Sequence, residues 1–145
     1  MVDPAKAREN AITALRNWVQ GLPDAVARIE ETEAPHEYVV RVVPRNSRSA
    51  VVTFRISEYG TFGLYIGTAI RIEELPLTSE YILEICEAVR KGKFVEETWS
   101  RGSALLKASG VLQLTSGDLQ GTEYRGAFGS LGSDEHVRKA FEPYS

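Results

Sequence analysis

The chain contains two stretches in which apolar residues recur every three or four positions, the spacing that predicts a helix with one buried face. The first begins after Asp3 and Pro4, residue types that favour a helix start, and ends at Gly21. The second runs from about Ser79 to Lys91. The apolar positions are Ala11, Ile12, Leu15, Trp18, Val19 and Leu22 in the first stretch, and Ile82, Ile85, Cys86 and Val89 in the second. Each stripe needs a surface to pack on, and a sheet is the expected partner.

Elsewhere the apolar residues alternate with polar ones, as they do in strands that are buried on one face. Short turns connect these segments, and strands joined by tight turns pair antiparallel. Ile70 and Ile72 resume the alternation after a bend at Gly67. The strand candidates span 25–32, 37–43, 49–57 and 61–67 before the second helix, and 93–100, 104–109 and 111–114 after it.

The last part of the chain has a different composition. Residues 115–133 contain five glycines and few apolar residues, which predicts a long surface loop. Ser133 is a suitable cap for a short closing helix over 134–141. We therefore predict a single α+β domain over 1–145. Its mainly antiparallel sheet has about five to seven strands, with an N-terminal, a central and a short C-terminal helix packed on it.

Charge and composition narrow the classes of partner. The net charge is −3, with +1 on residues 1–72 and −4 on residues 73–145, so no basic patch favours nucleic acid as the main ligand. No run of 18 apolar residues is present to span a membrane. The first residues lack the apolar core of a signal peptide, and one cysteine cannot form an intrachain disulfide. These features predict a cytoplasmic protein.

The sequence offers no recognisable catalytic, metal-binding or cofactor-binding motif. His36 and His136 lack a second ligand at metal-binding spacing, and both are expected to be solvated. Cys86 lies among apolar residues in the middle of a predicted helix, where a thiolate is not stabilised. The glycine-rich residues 126–134 lack both the preceding strand and the lysine of a phosphate-binding loop. We therefore expect a protein without catalytic, metal or cofactor residues, and not an enzyme.

Paired glutamates and aromatic residues are the remaining candidates for contact with a partner. An acidic surface steers a basic partner, and Trp and Tyr are common at the centres of protein interfaces. Solvation of the glutamates, and partial burial of the aromatic rings under a helix, are the alternatives. The candidate partner-binding residues are Glu73, Glu74, Glu96, Glu97, Trp99, Tyr59 and Tyr65.

Three segments resemble the immunity proteins of bacterial toxin–immunity systems. They are 84–99, in which a helix ends at a glycine and leads into an acidic strand, the hairpin 59–67, and the closing segment 141–144. The resemblance implies a compact, non-enzymatic binding protein that neutralises a cognate toxin, with a basic toxin domain as partner. The alternative is a regulatory domain that binds a small molecule or nucleotide between its sheet and a helix.

Overall fold

A computed structural model of the protein describes residues 3–125 and 135–145. Both predicted apolar stripes lie on helices there, except for Leu22, which follows the end of the first helix. Helix α1 (Pro4–Gln20) begins where the Asp3 side chain accepts a hydrogen bond from the amide of Ala5. Helix α2 (Ser79–Arg90) is capped in the same way by Thr78. Neither helix of the described ranges has the length and the apolar character that crossing a membrane requires.

The strands of the described residues form two antiparallel sheets. They are β1 (Ala27–Ala34), β2 (Glu37–Pro44), β3 (Val52–Ser57), β4 (Thr61–Ile66), β5 (Ile70–Pro76), β6 (Phe94–Arg101), β7 (Ala104–Leu112), β8 (Leu119–Tyr124) and β9 (Glu135–Ala140). The first sheet has the order β1-β2-β3-β4-β5, and the second has the order β8-β7-β6-β9. The α+β class and the antiparallel pairing are confirmed. The prediction of one sheet with five to seven strands is only roughly met.

The hydrophobic core lies between the two helices and one face of the first sheet. Its largest members include Tyr38, Phe54 and Phe62 from the sheet and Ile82 and Ile85 from α2, all with 0% exposure. Because side chains alternate along a strand, the residues between these core positions lie on the opposite face. In the described residues no helix covers that opposite face, which we call the open face of the first sheet.

The predicted closing helix over 134–141 is wrong, because residues 135–140 form strand β9. All six β9 residues are exposed, so the segment contributes no buried side chain to the core. A helix of about two turns is not stable on its own. As a strand, the segment pairs antiparallel with β6 from Val95↔Ala140 to Ser100↔Glu135. Pairing with a distant strand therefore decides its conformation.

The predicted glycine-rich loop over 115–133 is also partly wrong, because it contains strand β8. Residues 126–133 of that loop lie outside the described residues. In β8, Gly121 pairs with Gly110 of β7, and a Cβ atom on Gly121 would lie 2.5 Å from the carbonyl oxygen of Ala69. Gly121 thus allows the second sheet to approach the β4–β5 turn closely. The candidates 104–109 and 111–114 are joined through Gly110 into one strand, β7, which ends at Leu112.

The turn that precedes β8 is fixed to helix α2 by one carboxylate. Glu84 accepts hydrogen bonds from the Thr115 hydroxyl (3.1 Å), the Ser116 amide (3.2 Å) and the Ser116 hydroxyl. These bonds hold the pKa of Glu84 below its ordinary value of 4.5, and the bond from the Ser116 hydroxyl has the largest effect. A carboxylate with a lowered pKa stabilises the fold above its ordinary pKa, and the contribution is lost as pH falls through the folded pKa.

We therefore expect the stability difference between the wild type and Glu84→Gln to shrink as the pH is lowered from about 7 towards 3. Urea unfolding at a series of pH values measures this difference. Glu80→Gln, at an exposed position of the same helix, is the matched control. A difference that is independent of pH would contradict the assigned role of the Glu84 carboxylate.

Cys86 lies in the core with 0% exposure, as the sequence predicts, and burial raises the pKa of its thiol well above the ordinary range. Because the thiolate is the reactive form, we expect native protein to resist alkylation by iodoacetamide at about pH 8. Unfolded protein should react at the rate of a free thiol. Mass spectrometry of the single modified cysteine measures both rates, and rapid labelling of the native protein would contradict this placement.

Candidate functional site

The open face of the first sheet forms a groove of about 830 Å³. Its floor is made by strands β2, β3, β4 and β5, and part of its wall by Lys139 and Phe141 at the end of β9. The segment after β9 is tied to the loop between β2 and β3, because the Glu142 amide donates to the carbonyl of Arg48 (2.9 Å) and the Tyr144 hydroxyl donates to the carbonyl of Ala50 (2.6 Å). The two sheets together therefore shape this open-face groove.

Strand register places three arginines in the groove. Arg41 of β2, Thr53 of β3, Tyr65 of β4 and Arg71 of β5 are successive cross-strand neighbours, so they form one row across the sheet. Arg55 lies one row away, two residues along β3 from Thr53. Residues opposite one another in a sheet share a face, so all three guanidinium groups lie on the same side.

Each of these arginines is oriented by a carboxylate at the edge of the groove. The ion pairs are Arg41–Glu30 (3.0 Å), Arg55–Glu37 (2.6 Å) and Arg71–Glu123 (3.0 Å). The arginine side chains remain 46%, 48% and 47% exposed. They are therefore held in position while still accessible to a ligand.

Lys139 adds a fourth positive charge at the groove wall. Its ammonium nitrogen lies 4.4 Å from the centroid of the Phe141 ring. Among the described residues, no carboxylate forms an ion pair with it. The groove thus has three arginines with carboxylate partners and one lysine that contacts an aromatic ring.

Tyr65 occupies the centre of this floor. Its ring packs over Gly63, where a Cβ atom would lie 3.4 Å from the ring, an ordinary van der Waals distance. The Tyr65 hydroxyl donates a hydrogen bond to Glu73 (2.7 Å). Burial, and then this hydrogen bond, raise the pKa of Tyr65, so the hydroxyl remains a donor at neutral pH.

The seven residues predicted to bind a partner do not form one surface. Tyr65 and Glu73 lie together on the open face, whereas Glu74 is an exposed residue of β5 and Tyr59 is 81% exposed at the β3–β4 turn.

Glu97 and Trp99 lie on the second sheet, on the face away from its contact with the first. The Trp99 ring stacks on His136 with centroids 4.5 Å apart, and the His136 imidazole lies 3.1 Å from a Glu97 carboxylate oxygen. The Arg138 guanidinium lies 3.9 Å from the same carboxylate group. Both predicted contact residues are therefore already engaged within the chain.

Glu96 is not a surface residue. Its side chain points to the opposite side of β6 from Glu97, and it is 7% exposed. One carboxylate oxygen accepts hydrogen bonds from the backbone amides of Thr68 (2.8 Å) and Ala69 (3.2 Å). Glu96 therefore joins the second sheet to the β4–β5 turn of the first.

The sequence-based choice of residues did not include Arg41, Arg55, Arg71 and Lys139, so the positive side chains of the candidate groove contrast with the mostly acidic residues that were predicted. Each of the arginines occupies a polar position within an alternating segment, and this was the available signal. The described residues contain no group of three or more His, Cys, Asp or Glu side chains placed to hold a metal ion. Comparison of the chain with protein families, with curated proteins and with solved structures finds no match.

Proposed function

We propose that this protein is a non-enzymatic protein-binding domain, and that the open-face groove is its contact surface. The observation that carries the proposal is the presence of three half-exposed arginines around Tyr65 on a concave sheet face. Arg and Tyr are enriched in the energetically dominant parts of protein interfaces. An array already oriented by neighbouring carboxylates loses less conformational freedom when a partner binds.

A small-molecule or nucleotide site is the second candidate, because guanidinium groups also bind phosphates. Sites for small molecules enclose most of the ligand surface, typically about 70–90% of it. The open-face groove is bounded by a floor and a partial wall, which suits a macromolecular surface better. The space between sheet and helices, where the sequence suggested a pocket, is filled by fully buried side chains such as Ile82 and Ile85.

The resemblance to immunity proteins makes a toxin the most concrete partner. A basic toxin domain would meet charges of its own sign at Arg41, Arg55, Arg71 and Lys139. We therefore propose that a toxin partner would present acidic residues to this groove. This reverses the charge that the sequence suggested for the partner.

Affinity purification from the source cells with matched variants tests this proposal. The groove variant is Arg55→Glu with Arg71→Glu, and the control is Lys91→Glu with Arg138→Glu, which changes the net charge equally at exposed positions outside the groove. We expect the groove variant to recover at least about tenfold less of the protein that the wild type enriches, a loss of about 1.4 kcal/mol in binding free energy. The control variant should recover as much of it as the wild type does. Equal enrichment by both variants, with both folded by circular dichroism, would rule out the groove as the contact.

A further inference from the structure

Resting on the proposed function, we infer that the open-face groove binds an extended acidic segment of its partner, with carboxylates at alternate positions. Arg41 and Arg71 lie in one row, three strands apart. In a regular sheet this corresponds to about 14 Å. Arg55 lies one strand and two residues from Arg41, or about 8 Å.

An extended peptide has the matching spacing. Side chains two residues apart lie on the same face about 7 Å from one another, and side chains four residues apart are separated by about 13–14 Å. Carboxylates four residues apart therefore meet Arg41 and Arg71. The carboxylate midway between them lies on the same face, and Arg55, about 7 Å to one side of that line and about 12 Å from Arg71, reaches it with its long side chain. Three consecutive carboxylates do not meet the arginines in this way, because the middle one points away from the groove.

The ion pairs that the three arginines already form can be exchanged for pairs with partner carboxylates at a small cost in free energy. Arg41, Arg55 and Arg71 each hold a carboxylate in the free protein, with side chains about half exposed. Exposed pairs of this kind contribute little to stability. A partner carboxylate therefore displaces or joins the resident glutamate at little cost and finds the guanidinium already oriented. Lys139, which lies on the Phe141 ring, supplies a further positive charge.

The surroundings of the groove favour a protein segment over nucleic acid. Glu30, Glu37 and Glu123 at its edge, and Glu73 beside Tyr65, would face a continuous phosphate backbone with charges of the same sign. A peptide with spaced carboxylates places its charges opposite the arginines and neutral residues between them.

Two synthetic peptides of identical composition test the inference: Thr-Glu-Thr-Glu-Thr-Glu-Thr, and its isomer Thr-Thr-Glu-Glu-Glu-Thr-Thr. Titration followed by NMR amide shifts reports both the affinity and the location. We expect the alternating peptide to bind about fivefold or more tightly than the isomer, to shift the amides of Thr53 and Tyr65, and to weaken as salt is raised. Arg55→Gln with Arg71→Gln should reduce its affinity about tenfold, whereas Lys91→Gln with Arg138→Gln should change it less than about twofold.

The possible outcomes separate this inference from the proposed function. If the two peptides bind equally, or neither shifts the groove amides, while the purified partner still requires Arg55 and Arg71, the acidic-segment inference is wrong and the groove remains the contact. If a single-stranded oligonucleotide of equal charge binds the groove more tightly than the alternating peptide, nucleic acid replaces the acidic segment. If the purified partner binds the groove variant as tightly as it binds the wild type, the proposed function is wrong as well.

Discussion

Replacement of Glu96 by Ala is expected to lower the free energy of unfolding by about 2–4 kcal/mol. One oxygen of this buried carboxylate accepts hydrogen bonds from the amides of Thr68 and Ala69. Hydrogen bonds to a charged group contribute about 1.5–3 kcal/mol each, and a buried amide left without an acceptor is itself costly. The loss also removes the link between β6 and the β4–β5 turn.

Two further variants serve as controls for this prediction. Glu97→Ala, at the next position of the same strand, removes a partly exposed carboxylate and is expected to cost about 0–1 kcal/mol. Glu96→Gln keeps one oxygen in place and should recover part of the loss. Urea unfolding of the three variants measures these differences. Equal losses for Glu96→Ala and Glu97→Ala would contradict the buried role assigned to Glu96.

Gly121→Ala is expected to destabilise the protein by about 2–3 kcal/mol. The new methyl group would lie 2.5 Å from the Ala69 carbonyl oxygen and 3.0 Å from the Ile70 Cα atom. Both obstacles are backbone atoms, so the second sheet must move away from the first.

Gly110→Ala, directly across the strand pair, gives a graded comparison. Its methyl group would lie 2.9 Å from a ring carbon of Phe94, and a side chain adjusts more easily than a backbone. We therefore expect a smaller loss, of about 1–2 kcal/mol, and almost none for Gln120→Ala at an exposed position. A destabilisation by Gly110→Ala that equals or exceeds that by Gly121→Ala would show that the sheets separate easily.

The parts of the fold that depend on neighbouring residues were predictable from the sequence. Asp3 and Thr78 cap their helices through contacts two or three residues away, and the alternation in β2, β3 and β4 is a local pattern. The strands of the second sheet depend on distant partners instead. β9 becomes a strand because β6 lies beside it, and nothing within residues 135–140 specifies that pairing.

In the candidate site, too, the features set by neighbouring residues were predictable and those set by distant strands were not. Alternation predicts that Glu96 and Glu97 point to opposite faces, but only the contact between the two sheets determines that Glu96 is the buried one. Arg41, Arg55 and Arg71 are separated by up to thirty residues, and they share a groove only through the register of four strands. A single sequence does not contain that register.

The order in which the ribosome produces the parts of the groove determines when the groove can be complete. The floor comes from β2 to β5, which are complete by Pro76, whereas Lys139 and Phe141 of the wall are synthesised more than sixty residues later. The anchor that fixes this wall, the Tyr144 hydroxyl bonded to the Ala50 carbonyl, is later still. A nascent chain therefore presents its arginines before the wall can form, and the groove is complete only when these residues have left the exit tunnel.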